Sequence, residues 1–189
     1  MMINEVAVFL DIIATHLSAP DKKKVFRVFR NYATRLEQWA QIEIGMALEN
    51  EIDDGKNENS YFYDWRIERD TGTGHSCDLI VTTRPFPHNQ TPSPADDDLW
   101  VEMKWQTTVG NKNRISEDIN KQNAFKQIRG KGHFIVLAIL VVSDSEKSKS
   151  QAELIQNWLP PEFANSQQRC IMDDKGKFLA ILAALEVQC

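Results

Sequence analysis

The sequence predicts an α/β protein in which a mixed central sheet is flanked by helices. Three observations lead to this prediction: helical apolar spacing early in the chain, three strand-like runs in its middle, and an unbroken apolar run at 133–142. At 189 residues, with 42% hydrophobic and 26% charged residues, the chain has the composition of one soluble domain. We therefore expect a single domain over 1–189, with a core at about 21–142 and a helical extension at 151–189.

Two helices are predicted ahead of the first strand. Residues 3–17 carry apolar side chains at helical spacing, which predicts an extra N-terminal helix, and the breaker sequence at 18–20 ends it. A long second helix is predicted from about 21 to about 52, because its apolar residues recur in alternating steps of four and three. Glu43 interrupts this apolar stripe, so its side chain is expected to point inward.

Strand-like runs follow at 61–69, 75–83 and 99–106. A Gly-containing turn separates the first two, which predicts a hairpin. The segment 84–98 holds four of the seven prolines and predicts a surface loop. Whether that loop reads bases, gates a site or does neither is left open.

A further helix and a buried strand are predicted in the second half of the chain. Ser116 is the expected N-cap of the helix and Gly130 lies at its end. The run at 133–142 does not alternate, which is typical of a strand covered on both faces. The rest of the chain is expected to form a polar linker at 143–150 and short outer helices at 151–159 and 177–187.

Charge and composition exclude several function classes. The net charge of −5 argues against non-specific coating of nucleic acid, because that affinity comes from Lys and Arg. The charge is uneven, however: residues 21–35 hold six basic residues and one acid, and residues 43–58 hold six acids and one basic residue. The apolar runs are too short for a membrane span, the N-terminus lacks a signal-peptide pattern, and the three cysteines show no paired spacing. We therefore expect a cytoplasmic protein with no membrane partner.

The predicted strand at 99–106 carries the candidate chemistry. Its residues alternate, so Glu102 and Lys104 project from one face, together with Gln106. If this strand pairs antiparallel with the strand before it, Asp78 can lie next to Glu102. Two carboxylates can hold a hard cation such as Mg²⁺, and a nearby lysine can orient or deprotonate a water molecule.

This pattern of Asp78, a long loop and then Glu102-x-Lys104 resembles the PD-(D/E)XK nuclease superfamily, which has the restriction-endonuclease-like fold. The order of elements over the predicted core is also similar to that of the superfamily. The resemblance implies a Mg²⁺-dependent endonuclease in which Asp78, Glu102 and the carbonyl oxygen of Met103 bind the metal ion. In that reading Lys104 activates the attacking water.

The resemblance also implies supporting catalytic residues. Members often carry a glutamate on the first core helix, in some cases a few residues after a glycine, and Glu49, which follows Gly45, is the better candidate. Glu43 is its rival. Gln106 resembles the polar residue that some members place just after their lysine.

The expected substrate is nucleic acid, with DNA the first choice in a restriction or repair role. Basic residues that follow the proposed catalytic strand are placed to meet its backbone: Lys112, Arg114, Lys126 and Arg129. A symmetric homodimer is expected, because cutting both strands commonly needs two active sites.

Two other hypotheses stay open at the level of sequence. In the first, the chain is a catalytically inactive module of the same fold, and it binds nucleic acid or a protein. In the second, the chain is an unrelated α/β interaction domain. The second hypothesis treats Glu102 and Lys104 as an ordinary solvated ion pair on a sheet face. It predicts that Asp78 lies far from Glu102.

Overall fold

In the computed structural model, a mixed β-sheet lies between two layers of helices. The structure describes residues 5–29, 36–54, 62, 64–67, 77–83, 98–108 and 113–187.

The α-helices in these ranges are α1 (Glu5–Leu17), α2 (Pro20–Phe29), α3 (Leu36–Asp54), α4 (Asn113–Arg129) and α5 (Gln151–Trp158). The strands are β1 (Asp64–Arg66), β2 (Leu79–Thr82), β3 (Leu99–Thr107), β4 (His133–Val141), β5 (Gln167–Met172) and β6 (Phe178–Glu186). Within the described ranges, every helix is too short or too polar to cross a lipid bilayer.

The six strands lie in the order β1-β2-β3-β4-β6-β5. Neighbouring strands are antiparallel except for β3 and β4, which are parallel. A parallel pair needs a crossover connection, and α4 lies in that connection between β3 and β4.

The two faces of the sheet pack against different helices. Odd-numbered residues of β3 and β4 pack with α1, α2 and α3, whereas the even-numbered Trp100 packs with α4 and α5. Because side chains alternate along a strand, Glu102 and Lys104 project on the Trp100 side. The predicted alternation of this strand is confirmed, and β4 is buried along almost its whole length.

The coarse fold prediction is confirmed: a mixed α/β sheet is flanked by helices and preceded by an N-terminal helix. The predicted strand at 99–106 corresponds to β3, and the run at 133–142 corresponds to β4. The predicted hairpin corresponds to the antiparallel pair β1 and β2.

The predicted helix at 177–187 is wrong, because these residues form β6. The segment is rich in Ala and Leu, which favour helices, but an unbroken apolar run does not reveal its period. In the structure β6 pairs with β4 on one edge and with β5 on the other, and both of its faces are covered. The C-terminal extension therefore contributes β5 and β6 to the sheet, and it also contains α5 and a short 3-10 helix at Pro161–Asn165.

Two helix boundaries also differ from the prediction. The long helix expected at 21–52 is described as α2 and α3, and residues 30–35 between them lie outside the described residues. α4 begins at Asn113, so Ser116 lies inside the helix and is not its N-cap. The buried Ile115 extends the apolar spacing of α4 by one turn towards the N-terminus. The predicted loop at 84–98 lies outside the described residues except for Asp98.

Gly45 lies where Trp65 of β1 packs against α3. A Cβ at Gly45 would lie 2.5 Å from a ring carbon of Trp65. The indole N–H of Trp65 also donates to Glu49 Oε2 at 2.8 Å, which holds the ring in this position. The glycine is therefore needed for close packing between the helix and the strand.

A Gly45→Ala substitution tests this contact. Within a helix this change usually stabilises by about 1 kcal/mol. Here we expect it to destabilise by about 1–2 kcal/mol, because the indole must move to make room for the methyl group. In a Trp65→Ala background the same substitution should instead stabilise by about 1 kcal/mol. Chemical denaturation of the four proteins measures both effects, and stabilisation in both backgrounds would show that the packing contact is unimportant.

Candidate active site

Asp78 and Glu102 lie side by side because β2 and β3 are antiparallel in a defined register. Ile80 pairs with Trp100, so Asp78 comes opposite Glu102 two residues further along. The main-chain N–H of Asp78 donates to the carbonyl oxygen of Val101 at 3.0 Å, which continues the pairing to this point. Cross-strand neighbours project from the same face of a sheet. The large separation that an unrelated domain would predict is therefore not observed.

Both carboxylate oxygens of Asp78 accept hydrogen bonds. The main-chain N–H of Met103 donates to Oδ2 at 2.7 Å, and Gln41 Nε2 on α3 donates to Oδ1 at 2.9 Å. One bond comes from the neighbouring strand and the other from a helix. Asp78 is thus held in one orientation against β3.

The amine of Lys104 is held between two helices that pack on opposite faces of the sheet. Its Nζ lies 3.1 Å from Glu37 Oε1 of α3 and 3.4 Å from Asp118 Oδ2 of α4. Lys104 lies beyond the paired part of β2, whose last pair with β3 joins Leu79 to Val101. Residues from both helix layers therefore contact this amine.

α4 adds a second lysine to the site. Lys121 Nζ lies 3.4 Å from Asp118 Oδ1 and 3.9 Å from Glu102 Oε1. We call the following six residues the carboxylate–lysine cluster: Glu37, Asp78, Glu102, Lys104, Asp118 and Lys121.

The helical members of this cluster are not among the site residues predicted from the sequence. Asp118 has a signal that could have revealed it, because it is a buried polar residue at helical spacing from Ile115 and Gln122 on the inner face of α4. Glu37 lies near the start of α3 and carries no comparable signal.

The cluster has an excess of acidic groups. Four carboxyl groups face two lysine amines, and Glu102 and Asp118 are buried. Burial raises the pKa of Glu102 to about 8, and the nearby Asp78 and Asp118 contribute to the rise. Burial also raises the pKa of Asp78, with a further contribution from Glu37, although the Met103 N–H bond opposes the change.

Lys104 is a stable cation in this arrangement. Burial acts to lower the pKa of Lys104, but Glu37 and Asp118 outweigh it and raise the pKa above its ordinary value. An ammonium group donates hydrogen bonds and accepts none. In this state Lys104 can orient a water molecule or a phosphate oxygen.

The residues present fit a hard divalent cation. The described part of the chain has no preformed group of three or more His, Cys, Asp or Glu side chains that could hold a metal ion. Mg²⁺ needs fewer, because it keeps several waters and binds through one or two carboxylates. Burial raises the pKa of Glu102 and the nearby Asp78 and Asp118 add to the rise; a bound cation would offset this cost of ionising Glu102. Asp78 and Glu102 are the side chains that would hold the ion.

Met103 and Gln106 lie on either side of Lys104. The Met103 side chain is buried on the α1–α3 face, and its N–H is used by Asp78. Its carbonyl oxygen as a metal ligand stays a prediction. Gln106 is buried, and its Nε2 donates to the carbonyl oxygen of Thr107 at 3.1 Å.

The two glutamates proposed for the first core helix lie elsewhere on α3. Glu49 is eight residues beyond Gln41, about 12 Å along the helix axis, and accepts a hydrogen bond from Trp65. Glu43 is buried and accepts bonds from His16 of α1 and Lys22 of α2, at 2.8 and 2.9 Å. The α3 residues that reach the cluster are instead Glu37 and Gln41.

The four basic residues proposed to bind nucleic acid have different surroundings. Lys126 Nζ donates to the carbonyl oxygen of Val187 at 2.7 Å. The Arg129 guanidinium lies 4.9 Å from the ring centre of Trp100. Arg114 lies in the first turn of α4, and Lys112 lies outside the described residues.

The raised pKa of Glu102 predicts a pH-dependent stability. Because this pKa is about 8 in the folded protein and near 4.5 ordinarily, the folded state binds the proton more tightly. This contribution to the free energy of unfolding is complete below about pH 4.5 and is lost as the pH rises to about 8, about 5 kcal/mol in all. Glu102→Gln should remove this pH-dependent loss of stability. Urea denaturation in EDTA at pH 5.5 and pH 8.5 measures it.

The exposed Glu162, in the segment between α5 and β5, provides a matched control. Glu162→Gln should follow the wild-type pH dependence. If the wild type and Glu102→Gln lose stability in parallel between the two pH values, the buried charge at Glu102 is not the cause.

Comparisons with models of protein families, with curated proteins and with solved structures give no match for this chain. The assignment of a function therefore depends on the geometry of the carboxylate–lysine cluster.

Proposed function

We propose that this protein is a Mg²⁺-dependent endonuclease of the PD-(D/E)XK type that hydrolyses phosphodiester bonds in DNA. The observation that carries the proposal is the position of Asp78 opposite Glu102, with Lys104 on the same face and an excess of acidic groups around them.

The fold supports this proposal at the level of strand arrangement. The antiparallel pair β2 and β3 precedes a helix, α4, and then a parallel strand, β4. The superfamily core that the sequence resembles has the same order of elements. We therefore propose the restriction-endonuclease-like fold for this sheet.

Each residue of the site has a definite task in the proposed reaction. Asp78 and Glu102, with the carbonyl oxygen of Met103, would hold the Mg²⁺ ion, and a bound ion would supply a Lewis acid for a phosphoryl oxygen. The ammonium of Lys104 orients the attacking water and stabilises negative charge on the phosphate. Glu37 and Asp118 keep this amine in place, since both lie within 3.4 Å of it.

Further features support the choice of partner and location. The helix α2 carries exposed basic residues, including Lys24 and Arg27, that can meet a phosphate backbone. Among the described residues, Cys77 and Cys170 are not joined in a disulfide, which agrees with the cytoplasmic location that we propose. A homodimer would supply the two active sites that cutting both strands requires.

The proposal predicts Mg²⁺-dependent DNA cleavage that is lost with the site residues. Glu102→Gln and Lys104→Ala should each lower the rate by about a hundredfold or more, because each removes a charge placed at the reacting phosphate. Glu49→Gln should stay within about twofold of wild type, since Glu49 contacts Trp65 instead of the cluster. Gel assays of labelled double-stranded DNA, single-stranded DNA and RNA, in Mg²⁺ and in EDTA, measure these rates, with circular dichroism to check folding.

Two outcomes would contradict the proposal. Cleavage that persists in both Glu102→Gln and Lys104→Ala would remove this mechanism. Absence of cleavage, together with no Mg²⁺ binding in calorimetry, would favour the inactive module that binds nucleic acid or a protein.

A further inference from the structure

The two lysines of the carboxylate–lysine cluster are held very differently. The Lys104 side chain is 21% exposed, and its amine lies between Glu37 and Asp118. The Lys121 side chain is 61% exposed and reaches the cluster from the solvent side of α4. The ammonium of Lys104 is therefore held in place inside the cluster, whereas the ammonium of Lys121 lies at its solvent-exposed edge.

The contacts of Lys121 are long. Its amine lies 3.4 Å from Asp118 and 3.9 Å from Glu102, whereas strong bonds between an ammonium and a carboxylate are about 2.7–2.9 Å. An exposed ion pair of this kind contributes little to stability. The side chain can therefore leave these carboxylates at small cost in free energy.

Two other cations of α4, Lys126 and Arg129, contact parts of the protein outside the cluster. Lys126 donates to the main chain at Val187, and Arg129 lies over Trp100. Lys121 is the described cation of α4 whose amine lies beside Glu102, one of the carboxylates proposed to hold Mg²⁺. Lys121 therefore differs from Lys126 and Arg129 in its position beside a proposed metal ligand.

We propose that Lys121 binds the substrate phosphate, and that it lies against Glu102 and Asp118 only until a divalent cation takes its place. The inference rests on the proposed function and assigns a phosphate-binding residue to that site. A cation held by Asp78 and Glu102 would compete with the amine for Glu102 and repel it. The phosphate that enters with the substrate then offers the released amine a new anionic partner.

The first test is ion affinity in the absence of DNA. Lys121→Gln should bind Mg²⁺ about fivefold more tightly than wild type, because no amine has to be displaced and no like charge remains. Lys121→Arg should keep the wild-type affinity. Lys175→Gln removes one exposed lysine in the turn between β5 and β6, three strands from β3, and should have no effect. Isothermal titration calorimetry with MgCl₂ measures the four affinities.

The second test is the salt dependence of DNA binding, measured by fluorescence anisotropy with a labelled 20-base-pair duplex. Ca²⁺ replaces Mg²⁺ in one series and EDTA is present in the other, and a gel checks that the duplex stays intact. In Ca²⁺, Lys121→Gln should reduce the slope of log K against log salt concentration by about one phosphate contact. In EDTA its slope should equal that of wild type, because Lys121 then stays on its carboxylates. Lys175→Gln should match wild type in both series.

The outcomes separate this inference from the proposed function. Unchanged Mg²⁺ affinity in Lys121→Gln, or a slope that falls equally with and without Ca²⁺, would overturn the role of Lys121 even if the protein cleaves DNA. The expected affinities and slopes without any cleavage would overturn nuclease activity alone. A wild type that binds no Mg²⁺, or no DNA, would overturn both.

Discussion

The register between β2 and β3 is the constraint on which the candidate site depends. Side chains alternate along a strand, so a slip of one residue would turn Asp78 away from Glu102. The register is maintained because β2 is buried on both faces, with Leu79 packed against α1–α3 residues and Ile80 against α4 residues. A slip would exchange these two environments. The hydrophobic core thus fixes the position of a polar site.

The carboxylate–lysine cluster concentrates negative charge where water is partly excluded. The pKa of Glu102 is raised to about 8 by burial and by the neighbouring Asp78 and Asp118, which means that the folded protein disfavours the ionised form. Such a cost is typical of functional sites, where local stability is given up for chemistry. A cation bound between the carboxylates would remove much of that cost. The electrostatics and the proposed Mg²⁺ site therefore support each other.

The cluster also depends on the helices that flank the sheet. Glu37 and Gln41 reach it from α3, and α3 is tied to α1 and α2 through the buried Glu43. Burial acts to raise the pKa of Glu43, but the bonds from Lys22 and His16 outweigh it and hold the pKa below its ordinary value. Glu43 therefore has a structural explanation for its place in an apolar stripe. Its partners come from other helices, so no spacing within α3 could have revealed them.

The sequence alone determined which face of β3 carries Glu102 and Lys104, because alternation is a local property of a strand. It also determined that β4 is buried, since nine apolar residues in a row cannot be solvated. Only the tertiary structure decided that 178–186 is a strand, because its Ala-rich and Leu-rich sequence becomes extended when it pairs with β4 and β5. Likewise, packing of α3 and α4 on opposite faces decided that Glu37 and Asp118, rather than Glu49, reach Lys104. Contacts between distant segments depend on how the helix layers pack on the sheet, and a local sequence pattern carries no information about that packing.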